Sequence, residues 1–131
     1  MQVGEIASTS KIITVEDILN FSQIAGDANP VHTDPDFAKS SRFGEQIAQG
    51  MLIGSLISGV LGSKLPGPGC IYLEQTLKFI APVLINDFIT AFVEIIELYQ
   101  KNQNSYVRLR TWCTNQNEQI VVNGEALMMI Y

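Results

Sequence analysis

The chain has 131 residues, of which 47% are hydrophobic and 16% charged, and a formal net charge of -5. That length fits one domain with a buried core, spanning residues 1–131, and is too short for two ordinary ones, while so apolar a composition predicts that surface is hidden by self-association. Eight Lys and Arg against 13 Asp and Glu exclude a nucleic-acid partner, which requires clustered cations to neutralise phosphates.

The opening Met1-Gln2-Val3-Gly4-Glu5 has no basic stretch followed by an apolar run, so no secretory signal is read and the expected compartment is the cytoplasm. Residues 2–13 offer one further strand for a sheet edge. Thr14-Val15-Glu16-Asp17 has the pattern of a capping box, with the Thr14 hydroxyl accepting from a first-turn amide and Asp17 reaching back. Val15, Ile18, Leu19 and Ile24 then recur at helical spacing until Asn29-Pro30 turns the backbone out of the helix. Asp27 falls near that helix's end, and His32 follows in a loop.

Asp34-Pro35 supplies an N-cap and first-turn pair for a short helix through Phe37 and Ala38. Residues 50–62 predict a third helix, apolar on nearly every face and therefore enclosed by protein. Its most apolar part, 51–61, is too short to cross a bilayer, so no membrane insertion is expected. After the turn-rich Lys64-Leu65-Pro66-Gly67-Pro68-Gly69 the periodicity changes to alternation.

Ile71, Leu73, Leu77 and Phe79 share one face of a predicted strand, opposite Tyr72, Glu74, Thr76 and Lys78. Three longer strands follow over 88–99, 105–114 and 119–131, joined by polar turns at Lys101 to Asn104 and Asn115 to Glu118. An antiparallel sheet that curls around one all-apolar helix satisfies both elements at once, which gives an α+β architecture. Cys70 and Cys113 have neither CxxC nor metal-ligand spacing and are read as two buried, reduced thiols. With one histidine and no neighbouring ligands a metal site is not expected, nor is any redox cofactor.

The chemistry-bearing segment is Phe21-Ser22-Gln23-Ile24-Ala25-Gly26-Asp27-Ala28-Asn29-Pro30-Val31-His32. A carboxylate near a helix C-terminus gains nothing from the helix dipole, so structure alone does not require an acid at Asp27. A short rigid turn also fixes a general acid and a general base at one separation, within reach of one water. The plainer alternative is that Asp27 bonds the turn amides and His32 fills a core gap.

Gly26, Asp27, Asn29, Pro30, Val31, His32 and Ala38 resemble the signature of the MaoC-like (R)-specific enoyl-CoA hydratases, with Ala25 departing from the usual small polar residue. The likeness continues through Gln49-Gly50-Met51, Leu56-Ile57-Ser58-Gly59 and Phe79-Ile80-Ala81-Pro82-Val83, although many relatives carry His where this chain has Gln49. The resemblance implies a single hot-dog fold, a homodimer or dimer of dimers, an acyl-CoA substrate and cofactor-free addition of water to a trans-2-enoyl thioester. It further implies that Asp27 and His32 hold the water and divide base and acid work, that Asn29 orients the turn or a catalytic neighbour, and that Ser58 hydrogen-bonds Asp27 or substrate, the alternative being that Ser58 with Gly54, and Ser55 with Gly59, recur four apart to let the helix pack closely against the sheet. The free amides at the start of the Gly50 helix are the candidate oxyanion donors.

Met51, Leu52, Leu56, Phe79 and Phe92 are candidates to line an acyl tunnel or to be plain core, and Lys39, Arg42 and Lys64 are candidates to meet CoA phosphates or to be solvated surface. Competing functions are a (R)-3-hydroxyacyl-ACP dehydratase, disfavoured by the acidic balance, a thioesterase, disfavoured because 50–62 holds no acid, and a non-catalytic acyl-thioester-binding module, disfavoured because Asp27 and His32 are both present.

Overall fold

In the computed structural model, which describes residues 1–130, the elements run β1 (Ile6–Ile12), α1 (Val15–Ala25), α2 (Pro30–Thr33), α3 (Pro35–Lys39), α4 (Gly50–Ser63), β2 (Ile71–Gln75), β3 (Lys78–Phe79), β4 (Phe88–Lys101), β5 (Asn104–Thr114) and β6 (Ile120–Ile130). Thr14 caps α1 as predicted: its hydroxyl accepts from the Asp17 amide at 3.1 Å while the Asp17 carboxylate accepts from the Thr14 amide at 3.0 Å. Asn102 and Gln103 both take positive φ, 52° and 67°, which is the twist a two-residue hairpin needs between β4 and β5. Tyr131, placed in the last predicted strand, lies outside the described residues.

The sheet is antiparallel with order β1-β4-β5-β6-β2, and β3 also pairs with β6. The pairings Ala91↔Cys113, Val93↔Thr111 and Ile95↔Leu109 continue into Cys113↔Val122 and Leu109↔Ala126, so the buried positions of three strands form rows across one concave face. Ile53, Ile57, Val60 and Leu61 of α4 join those rows in one core. The fold is α+β, a hot-dog sheet around the central helix α4.

Three expectations need correction. α4 is not enclosed within the single chain: Leu52, Ile53, Ile57, Val60 and Leu61 are buried, but Met51 is 58% exposed and Ser55, Ser58, Gly59 and Gly62 face outward, because the sheet covers only one side. The strand expected over 71–79 is broken between β2 and β3. Its chain crosses over Gly124, where a Cβ would lie 1.7 Å from the Thr76 carbonyl oxygen, and Thr76 instead exchanges bonds with Glu125 through its amide (2.9 Å) and hydroxyl (3.0 Å). A register shift between Tyr72 and Glu74 in β2 and the crossing at Thr76 both disrupt alternation, and Leu73 and Phe79 are exposed rather than half-buried in register. Finally, Cys113 is buried but Cys70 only partly so.

The break has a use. Leu77 and Phe79 are turned against α4 at its glycines, where Cβ atoms at Gly54 and Gly50 would come within 2.9 Å and 2.6 Å of their side chains. Among the described residues, no helix is long and apolar enough to cross a membrane.

Candidate active site

α1 ends at Gly26, whose φ of 70° is the left-handed conformation glycine takes most easily. Both the Gly26 and Asp27 amides return to the Ser22 carbonyl, the latter at 3.1 Å, which fixes the chain as it leaves the helix. The Asn29 amide then donates to Asp27 Oδ1 at 3.0 Å, and Asn29 Oδ1 accepts from the Val31 amide at 3.2 Å. Asn29 is thus the N-cap of α2 with Pro30 at its first position. His32 sits in this helix, not in the loop expected from sequence; Asn-Pro as a cap and first-turn pair was the signal for it.

His32 is held from two sides. Its Nδ1 lies 2.8 Å from the Ile47 carbonyl oxygen, and its own carbonyl accepts from Gln46 Nε2 at 2.8 Å. A carbonyl oxygen only accepts, so Nδ1 carries a proton and Nε2 is the exchangeable position. Nε2 stands 3.9 Å from Asp27 Oδ2. That gap is too long for a direct hydrogen bond, and two bonds of about 2.8 Å to one shared oxygen span it.

Both groups line a cavity of about 770 Å³ whose other walls include Phe21, Gly50, Ile53, Phe79 and Val83. Buried His32, Ala48, Gln49, Ile53 and Val83 form its floor, and exposed Arg42, Phe43, Phe79, Ile80 and Pro82 its rim. Gly50 opens α4 at this wall, and its N-cap Gln49 makes no side-chain capping bond, leaving the first amides uncapped by a side chain. Among the described residues, no group of three or more His, Cys, Asp or Glu could hold a metal ion.

The predicted site residues separate accordingly. Asp27, Asn29 and His32 are brought together by one turn, and Gly50 joins Asp27 and His32 at the cavity. Ser58 does not: it lies on the outward side of α4, in an adjoining concavity lined by Phe21, Tyr72, Leu73 and Leu77, and makes no bond to Asp27 in the chain as described. Two turns of helix separate it from Gly50, so spacing along α4 carries it past the cavity mouth.

Of the tunnel candidates, Met51 and Phe79 line the cavity, whereas Leu52 and Leu56 do not; Phe92 stacks on Trp112 at 5.0 Å between ring centres. Of the basic candidates, Arg42 lines it, while Lys64 donates to the Ser8 carbonyl and Lys39 stands apart.

Two contributors escaped sequence reading. The Ile47 carbonyl that fixes the His32 ring is a backbone atom, and no residue type signals it. Gln49, left without a role, donates through Nε2 to the Ile18 carbonyl (3.0 Å) and Ser22 Oγ (2.8 Å), tying the start of α4 to α1. Its Oε1 is buried with no partner among the described residues.

Known proteins resemble this chain along nearly its whole length. An (R)-specific enoyl-CoA hydratase from Rhodospirillum rubrum is 43% identical over 97% of this chain and 86% of its own length. A 3-hydroxybutyryl-CoA dehydratase from Methylorubrum extorquens is 40% identical over 99% of this chain and 81% of its own. The solved (R)-hydratase from Aeromonas caviae, involved in PHA biosynthesis, superposes with a TM-score of 0.94 at 38% identity, covering 100% of this chain and 98% of that one. The family model of the MaoC like domain matches residues 4–118, and the chain belongs to that family.

Proposed function

We propose that the protein is an (R)-specific enoyl-CoA hydratase, a hydro-lyase that adds water to a trans-2-enoyl-CoA to give the (R)-3-hydroxyacyl-CoA. The observation that carries this reading is the pair His32 Nε2 and Asp27 Oδ2, 3.9 Å apart at the wall of an apolar cavity. Hydratase and dehydratase names among relatives at 40% identity and above support it.

One water bound between the two groups is oriented at the β carbon (C3) of the alkene. As its oxygen forms the C3–O bond, one of the pair removes a water proton and the other delivers a proton to the α carbon (C2). One water O–H bond and the C2–C3 π bond are broken, one C3–O and one C2–H bond form, and proton transfer between Oδ2 and Nε2 restores the pair. Electron density moves onto the thioester oxygen during attack, where the Gly50 amide at the start of α4 stabilises it. Asn29 acts through Asp27, holding Oδ1 so that Oδ2 faces the water.

The active form is a homodimer or a dimer of dimers. The exposed side of α4 and the edge strand β2 together present Met51, Tyr72 and Leu73 to solvent in the single chain, an apolar surface that a second copy covers. Light scattering giving the mass of one chain would refute this part.

The test of the reaction is loss of the conjugated thioester absorbance of crotonyl-CoA. Rapid loss with the purified protein is expected; a folded protein that leaves short- and medium-chain enoyl-CoAs unchanged would overturn the assignment.

A further inference from the structure

The hydratase reading leaves open how an acidic protein holds a polyanionic carrier. Among the described residues, the cations sort by what they touch. Lys11 pairs with Asp17, Arg108 with Glu97 and Glu125, and Arg110 with Glu94. Lys64 is engaged with the Ser8 carbonyl. Lys39, Arg42, Lys78 and Lys101 have no carboxylate within ion-pair distance, and of these four only Arg42 lines the cavity with Asp27 and His32.

Arg42 is also held in place. Ser41 Oγ donates to the Ala38 carbonyl at 2.6 Å and accepts from the Phe43 amide at 3.2 Å, and the Gly44 amide closes the turn on the Ser41 carbonyl at 3.1 Å. The guanidinium lies 5.6 Å from the centre of the Phe43 ring, a contact that orients it without neutralising it. Arg42 and Phe43 are exposed at the rim, while His32 is buried in the floor. Phosphates keep much of their hydration and stay at the rim when a thioester enters the floor.

We infer that Arg42, seated on Phe43, is the phosphate-binding residue of the carrier arm and sets the affinity for the CoA thioester. This rests on the hydratase reading and adds a specificity residue to it. A guanidinium offers paired donors that fit phosphate oxygens. With a net charge of -5 on the chain, losing this cation leaves the cavity rim without a full positive charge.

The experiment compares wild type, Arg42→Gln, Arg42→Lys and the off-cavity control Lys39→Gln on crotonyl-CoA and on crotonyl-pantetheine, which has no phosphate. The expected result for Arg42→Gln is a KM for crotonyl-CoA raised about tenfold, as a charge-assisted bond is worth, with kcat within about twofold. Arg42→Lys recovers part of the loss, Lys39→Gln shows none, and all four proteins treat crotonyl-pantetheine alike. An unchanged KM for crotonyl-CoA, or an equal rise on both substrates, overturns the inference.

Repeating the assay with the 3′-dephospho-CoA thioester identifies the phosphate: a persisting effect assigns the pyrophosphate, a vanished effect the 3′-phosphate, and either supports the inference. Calorimetric binding of free CoA reads Arg42 without turnover. If the wild type hydrates nothing yet binds CoA more tightly than Arg42→Gln, the hydratase reading fails while the phosphate site stands; equal binding removes the site.

Discussion

Replacing Asp27 with Asn separates catalysis from structure at this turn. The Asn side chain retains an oxygen to accept the Asn29 amide, which stands 3.0 Å from Oδ1, so the turn into α2 keeps its bond. What changes is the atom facing His32 Nε2 across 3.9 Å, from a carboxylate oxygen to an amide nitrogen. A full charge pair at that distance would be worth about 4 kcal/mol at an effective dielectric near 20. The Asp27 side chain is 37% exposed, however, and pairs in contact with water contribute about 0.2–1 kcal/mol. The melting temperature should fall by a few degrees at most.

The rate is a different matter, because an amide neither accepts a proton from water nor returns one to carbon. Losing one member of an acid–base pair costs about 10²–10⁴-fold in kcat. Crotonyl-CoA turnover and thermal melting measured on the same preparation test both halves. Activity within about fivefold of wild type in a protein that melts normally would remove Asp27 from catalysis. Loss of the fold would refute the claim that its bonds survive the substitution.

Gly124→Ala places a Cβ 1.7 Å from the Thr76 carbonyl oxygen, a backbone atom that cannot swing away, and should cost about 1–3 kcal/mol or more, read as a lower urea midpoint. Burial pushes the Cys113 thiol up to about 12, so alkylation of native protein at neutral pH should spare Cys113 and label it only after denaturation; rapid native labelling there would contradict its burial. At Asp17 burial raises the carboxyl, but the Thr14 amide, Lys11 and the Thr14 hydroxyl outweigh it and hold it below 3.8. The stability this confers is complete above the unfolded value and is lost as pH falls through the lowered folded value. The melting deficit of Asp17→Asn should accordingly be constant near neutrality and shrink on acidification below about pH 4.

Local chemistry was the part legible from sequence. The Thr14 capping box, the Asp34-Pro35 start of α3 and the hairpin turn at Asn102 and Gln103 each rest on neighbours within four residues, and each formed where read. The buried rows of β4, β5 and β6 follow from alternation in long strands. The failures share a different cause. The break between β2 and β3 is imposed by Gly124, some 50 residues away, through an approach that only the folded sheet creates. Ser58 shares a helix with Gly50, but the side of α4 it occupies relative to the cavity depends on how the sheet covers that helix. The role of Gln49 depends on α1 lying within reach of its amide, and that of the Ile47 carbonyl on a bridge between Ile47 and Leu84.

Asp27 and His32, on one wall of the cavity, are proposed to hold one water between them and divide its addition, one taking its proton as the hydroxyl forms and the other delivering a proton to C2 from the same side. Hydration of crotonyl-CoA in D2O by the wild-type protein, with the product analysed by NMR and chiral chromatography, tests this division most directly. A single diastereomer of (R)-3-hydroxybutyryl-CoA is expected, with deuterium at C2 and the hydroxyl at C3 added to the same face. Anti addition, or deuterium scrambled at C2, would contradict it.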